Sequence, residues 1–170
     1  VWVLTATAPD GSVDESVPMP FWSFPWAGGQ ALARYVLDHP EVVAGRTVLD
    51  LAAGSGLVAI AAALAGAAQV TANDVDPYAA AAQELNAQAN GVTLTTLTAD
   101  ILDEPAVPGG VSPDVVLAGD VCYERGLADR MLTYLLRARD SGADVLVGDP
   151  GRAYLPVADL EEVAGYDVPT

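Results

Sequence analysis

Five residues stand at intervals that suit the binding of a nucleoside: Asp50, Gly54, Gly56, Asp74 and Asp100. Residues 48–56 read Val-Leu-Asp-Leu-Ala-Ala-Gly-Ser-Gly, a buried strand running into small residues and then into a helix. Glycines in such a turn let backbone approach a ligand, and the helix that follows offers free N–H groups. Asp74 lies twenty residues beyond Gly54, at the end of the next strand, where a carboxylate can accept both ribose hydroxyls. Asp100 follows a third strand, at the rim where a purine lies; it can accept from an exocyclic amine while Ile101 covers the ring. Each aspartate has a plainer reading as a helix cap or a loop-bonding group. Asp76 is the more natural cap before Pro77, which leaves Asp74 free for the ribose.

A glycine-rich turn is shared with dinucleotide enzymes, and Gly54-x-Gly56-x-x-Ala59 fits their relaxed fingerprint. Two details favour S-adenosylmethionine over NAD. Asp50 sits inside the strand ahead of the turn, where dinucleotide folds keep apolar residues, and can face the ammonium of a methionine moiety. The glycines also start late, so no pyrophosphate-hugging turn comes directly off the strand.

These residues need elements to position them. An aromatic, proline-punctuated loop at residues 21–26 precedes a helical pattern that opens at Gly28-Gly29; Ala31, Leu32, Tyr35, Val36 and Leu37 give its amphipathic spacing. His39-Pro40 stops it, and a bland structural role suits His39. Strands are expected at residues 47–51, 69–73, 92–98, 114–119 and 143–148, and helices at 56–66, 77–90 and 125–139. Pro77 suits a first helical position. A further helix is expected at 155–164, and residues 105–113 form a turn-rich loop. Strands alternating with helices predict an α/β fold, a doubly wound, mostly parallel sheet covered on both faces.

Composition narrows the class. The chain has 170 residues, 52% of them hydrophobic, which predicts one globular domain. Its longest apolar run, residues 57–68, is alanine-rich and falls short of the roughly 20 residues a membrane span needs. Residues 1–16 show no basic region before an apolar stretch, and a single cysteine, Cys122, excludes a disulfide framework or cysteine-based metal cage and suits a small buried hydrophobe. The expectation is a cytoplasmic protein with no membrane partner and no metal. Net charge is −16, and all seven basic residues are arginine. Such a chain repels nucleic acid. A GC-rich genome, a salt-loving host, or attraction of a basic protein segment each account for this balance.

Beyond the nucleoside motif, Phe21-Trp22, Pro25-Trp26, Gly28-Gly29-Gln30-Ala31-Leu32-Ala33-Arg34-Tyr35, Ala72-Asn73-Asp74-Val75-Asp76-Pro77, Gly119-Asp120-Val121-Cys122-Tyr123 and Gly148-Asp149-Pro150-Gly151-Arg152 resemble the electron-transfer-flavoprotein β-subunit lysine methyltransferases, seven-strand protein lysine methyltransferases. The resemblance runs from about Pro20 to Arg152. It implies the class I S-adenosylmethionine methyltransferase fold, with residues 1–27 as an extension and aromatic loop, 28–152 as the core and 153–170 as a shortened end. It implies that Trp26, Gly28 and Gly29 wall the cofactor pocket, that Val75 and Ala52 belong to it, and that Asp120 and Tyr123 form an Asp-x-x-Tyr signature beside the transferring methyl. The implied partner is a protein with an exposed lysine, such as an electron-transfer flavoprotein β subunit.

The position of Asp120 and Tyr123 after the fourth strand suits that role, because open α/β sheets bind substrates at the carboxyl edge. A carboxylate and a phenol can hold a lysine ammonium, help it lose a proton and align it. The plainer reading has Asp120 capping the next helix and Tyr123 in the core. Arg152 either pairs with an acid or contacts the target. Two departures stand out. Ala52 replaces the first glycine of the turn, which is tolerable if its φ is negative. The resemblance also implies a final strand hairpin after the fifth strand; either that tail lies outside this sequence or those strands are absent, and an unfinished sheet leaves an edge open to self-association. Methylation of a small amine or a ribosomal protein, a non-catalytic cofactor binder, and an NAD oxidoreductase are the competing readings.

Overall fold

Strand β1 (Thr47–Leu51) is buried along almost its whole length, as a central strand of a parallel sheet must be. The computed structural model describes residues 20–104, 107–108 and 112–168. The expected extension before residue 20 and part of the 105–113 loop lie outside these. Five parallel strands form the sheet in the order β3-β2-β1-β4-β5, with β2 at Gln69–Asp74, β3 at Thr95–Thr98, β4 at Val115–Gly119 and β5 at Asp144–Gly148. The expected doubly wound sheet is therefore present.

Side-chain parity assigns the two faces. Val48, Val70, Ala72, Val115 and Leu117 meet helices α1 (Ala27–Asp38) and α2 (Leu57–Leu64) on one side. Leu49, Leu51, Val116 and Ala118 meet α4 (Arg125–Asp140) through Ala128, Met131, Tyr134 and Leu135 on the other. Helix α3 (Pro77–Ala89) packs on β2 and β3. The chain builds outward from β1 to β3, then returns to place β4 on β1's other side. That reversal opens a crevice beyond the carboxyl ends of β1 and β4, the usual ligand position in such sheets.

Two expected elements differ. β3 starts at Thr95 because the turn closing α3 consumes the preceding residues: Gly91 has φ +67° and the Val92 amide donates back to the Ala87 carbonyl. The helix expected at 155–164 is only a 3-10 turn, Val157–Asp159. Val157 and Val163 stay exposed, so no apolar stripe is buried to offset the cost of helix nucleation. No helix among the described residues is long and apolar enough to cross a membrane, and no group of His, Cys, Asp or Glu among them is arranged to hold a metal.

Candidate active site

Alternation along β1 sends Asp50 to the same face as Val48, toward α2. There its Oδ2 accepts from the Ala59 amide at 2.8 Å, in the first turn of that helix. The residue is fully buried, and its Oδ1 has no partner among the described residues. Burial pushes its carboxyl up to about 8; the Ala59 N–H opposes that, and the charge of Asp74 adds to it. Asp50 borders a cleft of about 590 Å³ at the carboxyl ends of the strands, within the size range of small-molecule sites.

Asp74 ends β2 at the same cleft. Its carboxylate is not free as expected: Oδ2 accepts from the Gly54 amide at 2.9 Å and Oδ1 from the Asp76 amide at 3.0 Å. Two backbone donors thus fix its orientation, and each oxygen keeps a lone pair for a further hydroxyl. Asp76 is the helix cap, as expected, accepting from the Tyr78 amide at 2.8 Å. Val75 is exposed at the cleft edge.

The turn between β1 and α2 keeps Gly54 at the cleft and corrects two readings, for Gly56 and Ala52. Gly54 lines the cleft with φ +53°, as a close backbone approach needs. Gly56, with φ +89°, does not line it; it sits against Gln83 of α3, and a side chain there would crowd the Gln83 Cγ at 3.3 Å. Ala52 does line the cleft, but with φ +52° rather than the negative value expected, so its Cβ is held in the left-handed region. Gln83 Nε2 donates to the Gly54 carbonyl at 3.0 Å and Asn86 Nδ2 to the Ser55 carbonyl at 2.9 Å, so α3 holds this turn from outside.

Ile101 is buried in the cleft wall, where a flat ring can lie on it. Asp100 stands at the rim but is already engaged. Both its oxygens accept from Arg130 Nη2, at 2.9 and 2.8 Å, and this guanidinium holds its carboxyl below the ordinary carboxylate value. Arg130 also binds Asp103 at 2.7 Å, so it ties the loop after β3 to α4.

At the end of β4 the backbone is strained. Asp120 has φ +61°, a conformation its surroundings over-determine. Its amide donates to the Gly148 carbonyl at 2.8 Å, its Oδ2 accepts from the Gly28 amide at 2.6 Å, and its Oδ1 accepts from Arg152 Nε at 2.6 Å, with Arg152 Nη2 in ion-pair contact at 2.6 Å. Arg152 therefore pairs with an acid. Glu124, not Asp120, caps α4, accepting from the amides of Gly126 and Leu127. Gly28 is a packing residue rather than a wall of the cleft: its missing Cβ lets α1 rest on the backbone of Gly148. Gly29 does face the cleft, and a Cβ on Gly119 would come within 2.8 Å of its Cα.

Aromatic side chains form the mouth. Trp26 stands just before α1 and donates Nε1–H to the Phe21 carbonyl at 2.8 Å; the Arg152 guanidinium lies 5.7 Å from its ring centre. Phe21 stacks on Tyr123, which is half-exposed and not a core residue, with centroids 6.2 Å apart. Desolvation, then the charges of Asp74 and Glu124, raise the Tyr123 phenol. Cys122 is buried, and burial with nearby Asp149 and Asp120 pushes its thiol up to about 11, so it is no nucleophile. His39 lies outside the cleft, its ring tilted on Tyr35.

Sequence reasoning did not identify Arg130, Gln83 or Asn86. Arg130 carried a signal, as one of only seven basic residues in an acidic chain. Gln83 and Asn86 carried only the i, i+3 spacing of one helix face.

The family described as "Ribosomal protein L11 methyltransferase (PrmA)" matches residues 30–119. The chain is 46% identical over 137 residues to an electron transfer flavoprotein beta subunit lysine methyltransferase of Danio rerio, covering 80% of this chain and 52% of that protein. With the Homo sapiens protein of the same name it shares 42% identity over 135 residues, covering 78% and 50%. These relatives bear out the resemblance read from the sequence, and the chain spans about half their length. A solved ribosomal protein L11 methylase from Lactobacillus delbrueckii subsp. bulgaricus superposes with a TM-score of 0.57 at 25% identity, covering 75% of this chain and 62% of that one. By its sequence match and its fold, the chain belongs to the methyltransferase family described as ribosomal protein L11 methyltransferase (PrmA).

Proposed function

We propose that this chain carries the catalytic core of an S-adenosylmethionine-dependent protein lysine N-methyltransferase, acting on an electron-transfer flavoprotein β subunit or a similar protein. The observation that carries this reading is the row of carboxylates Asp50, Asp74 and Asp100, within two residues of the ends of β1, β2 and β3, opening on one cleft beside Asp120 and Tyr123. The cofactor fits the residues present. The unpartnered Oδ1 of Asp50 can receive the ammonium of its methionine portion. Asp74, oriented by two amides, can accept the ribose hydroxyls, and Ile101 can cover the adenine.

When bound, S-adenosylmethionine would supply an electrophilic methyl group on a sulfonium to a neutral amine acceptor. The protein's contribution is to hold the acceptor and align its amine once it has lost its proton. Tyr123, with its phenol raised, stays neutral at ordinary pH and can hydrogen-bond the amine without adding charge. Phe21 stacks on it, so together they form one wall of the mouth. Alignment of this kind is worth roughly 7–11 kcal/mol of barrier in well-oriented systems. Asp120 is committed to Arg152 and Gly28, so it is a fixed anion rather than an idle base.

The names of the relatives favour the flavoprotein acceptor; the family description favours a ribosomal one. Purified protein is incubated with labelled cofactor and, separately, with each acceptor, and sites are located by mass spectrometry. Calorimetry with S-adenosylmethionine, its demethylated product and NAD runs beside it. Lysine methylation of the flavoprotein subunit supports the reading. Binding of NAD in preference to S-adenosylmethionine overturns it, and cofactor binding without transfer to either acceptor leaves a binder, not an enzyme.

A further inference from the structure

The Asp120 carboxylate is almost wholly buried, its side chain 2% exposed, and a cation already occupies it. The guanidinium of Arg152 arrives from the cleft side, lines the cleft itself and remains 32% exposed. It is delivered by a turn after β5 in which Asp149 Oδ1 accepts from the amides of Gly151 and Arg152, at 2.8 and 2.6 Å. The ring of Trp26 lies within cation–π reach of the same guanidinium. The other cation of the cleft, Arg130, is tied to Asp100 and Asp103. Arg152 therefore marks a route by which a positive group passes from the cleft to a buried anion, with a π face and solvent beside it to receive the guanidinium if it leaves.

We propose that Arg152 is a built-in stand-in for the acceptor cation, and that a primary alkylammonium reaches Asp120 only by displacing it. This rests on the lysine methyltransferase reading above. The consequence is specificity. A free small amine brings one ammonium and must break both the Nε hydrogen bond and the Nη2 ion-pair contact at Asp120 Oδ1. A lysine on a folded protein brings further contacts that offset the exchange. Arg152 is thus a specificity-determining residue that disfavours small amines, and no covalent step is assigned to it.

The test uses n-butylammonium as a lysine side-chain probe, titrated by NMR without cofactor into the parent protein, Arg152→Gln, and the double variant Arg152→Gln/Asp120→Asn. Removing the competing cation should tighten probe binding by about tenfold or more, the lower end for a hydrogen bond between charged groups. The double variant should lose that gain. Equal or weaker binding to a folded Arg152→Gln protein overturns the proposal, as does a gain that survives loss of the Asp120 charge. Arg152→Gln leaves a buried anion and can fail to fold. Arg152→Lys then serves, since a single ammonium makes a weaker pair than a guanidinium; a several-fold gain is expected and no gain overturns the proposal. Because the probe readout needs no cofactor, failure of the methyltransferase reading shows separately, in the calorimetry and acceptor assays.

Discussion

Replacing Asp50 by asparagine isolates the most strongly perturbed buried carboxyl among the described residues. In the folded chain Asp50 is pushed from 3.8 to about 8, chiefly by burial. Between those values the folded state holds a proton that the unfolded chain releases. The number bound is then greater in the native state, so stability falls as pH rises. Each pH unit crossed in that window costs about 1.36 kcal/mol, so the loss from pH 4 to pH 8 is on the order of 5 kcal/mol as an upper bound. Asparagine mimics the protonated form: its carbonyl can still accept from Ala59, and its NH2 takes the place of the proton at the unpartnered oxygen. The variant should match the parent near pH 4 and exceed it progressively toward pH 8. Urea unfolding of both proteins at half-unit steps measures this, and the difference between them cancels the titration of other carboxylates. Cofactor affinity should move the opposite way. An ammonium beside Asp50 favours the ionised form, so the parent's affinity should rise with pH up to about 8, whereas the asparagine variant binds more weakly and without that slope. A stability difference that stays constant from pH 5 to 8 would falsify the buried-proton argument, whatever the affinities do.

Two further substitutions separate binding from folding at the same cleft. Asp74→Ala should weaken S-adenosylmethionine binding in calorimetry by about 1.5–3 kcal/mol, the range for hydrogen bonds to a charged group. Asp76→Ala should cost about 0.5–2 kcal/mol of stability through its lost cap and leave affinity nearly intact; the reverse pattern would exchange their roles. Ala52→Gly should stabilise the chain by roughly 0.5–1 kcal/mol, because relief of a left-handed alanine (about 1–2 kcal/mol) exceeds the added entropy of glycine in the unfolded chain. A lower melting temperature for that variant would mean that the Ala52 methyl makes packing contacts worth more than the strain.

Much of this site was legible because each feature was local. The strand, small-residue turn and helix from Val48 to Ala59 form one contiguous signal, and parity along β1 alone places Asp50 opposite the face of Leu49 and Leu51. The Asp76 cap needed only a proline one residue later. What sequence did not reveal depends on distant segments meeting. Gly28 looked like a pocket glycine, yet its small size serves contact with Gly148, 120 residues away, and its amide serves Asp120. Asp100 looked free because its partner Arg130 lies on a helix that no spacing rule connects to it. The same holds for Asp120, where a lone Asp-x-x-Tyr suggested an available carboxylate. Two distant elements, the start of α1 and the turn after β5, converge on that carboxylate at the end of β4 and engage both its oxygens. Its left-handed φ agrees with this. A strained backbone persists where several contacts over-determine it, and here those contacts are the ones an incoming cation must rearrange. The chemistry of the cleft therefore turns on what holds Asp120, and Arg152 is the one of those contacts that a substrate can replace, since the other is a backbone amide fixed by α1.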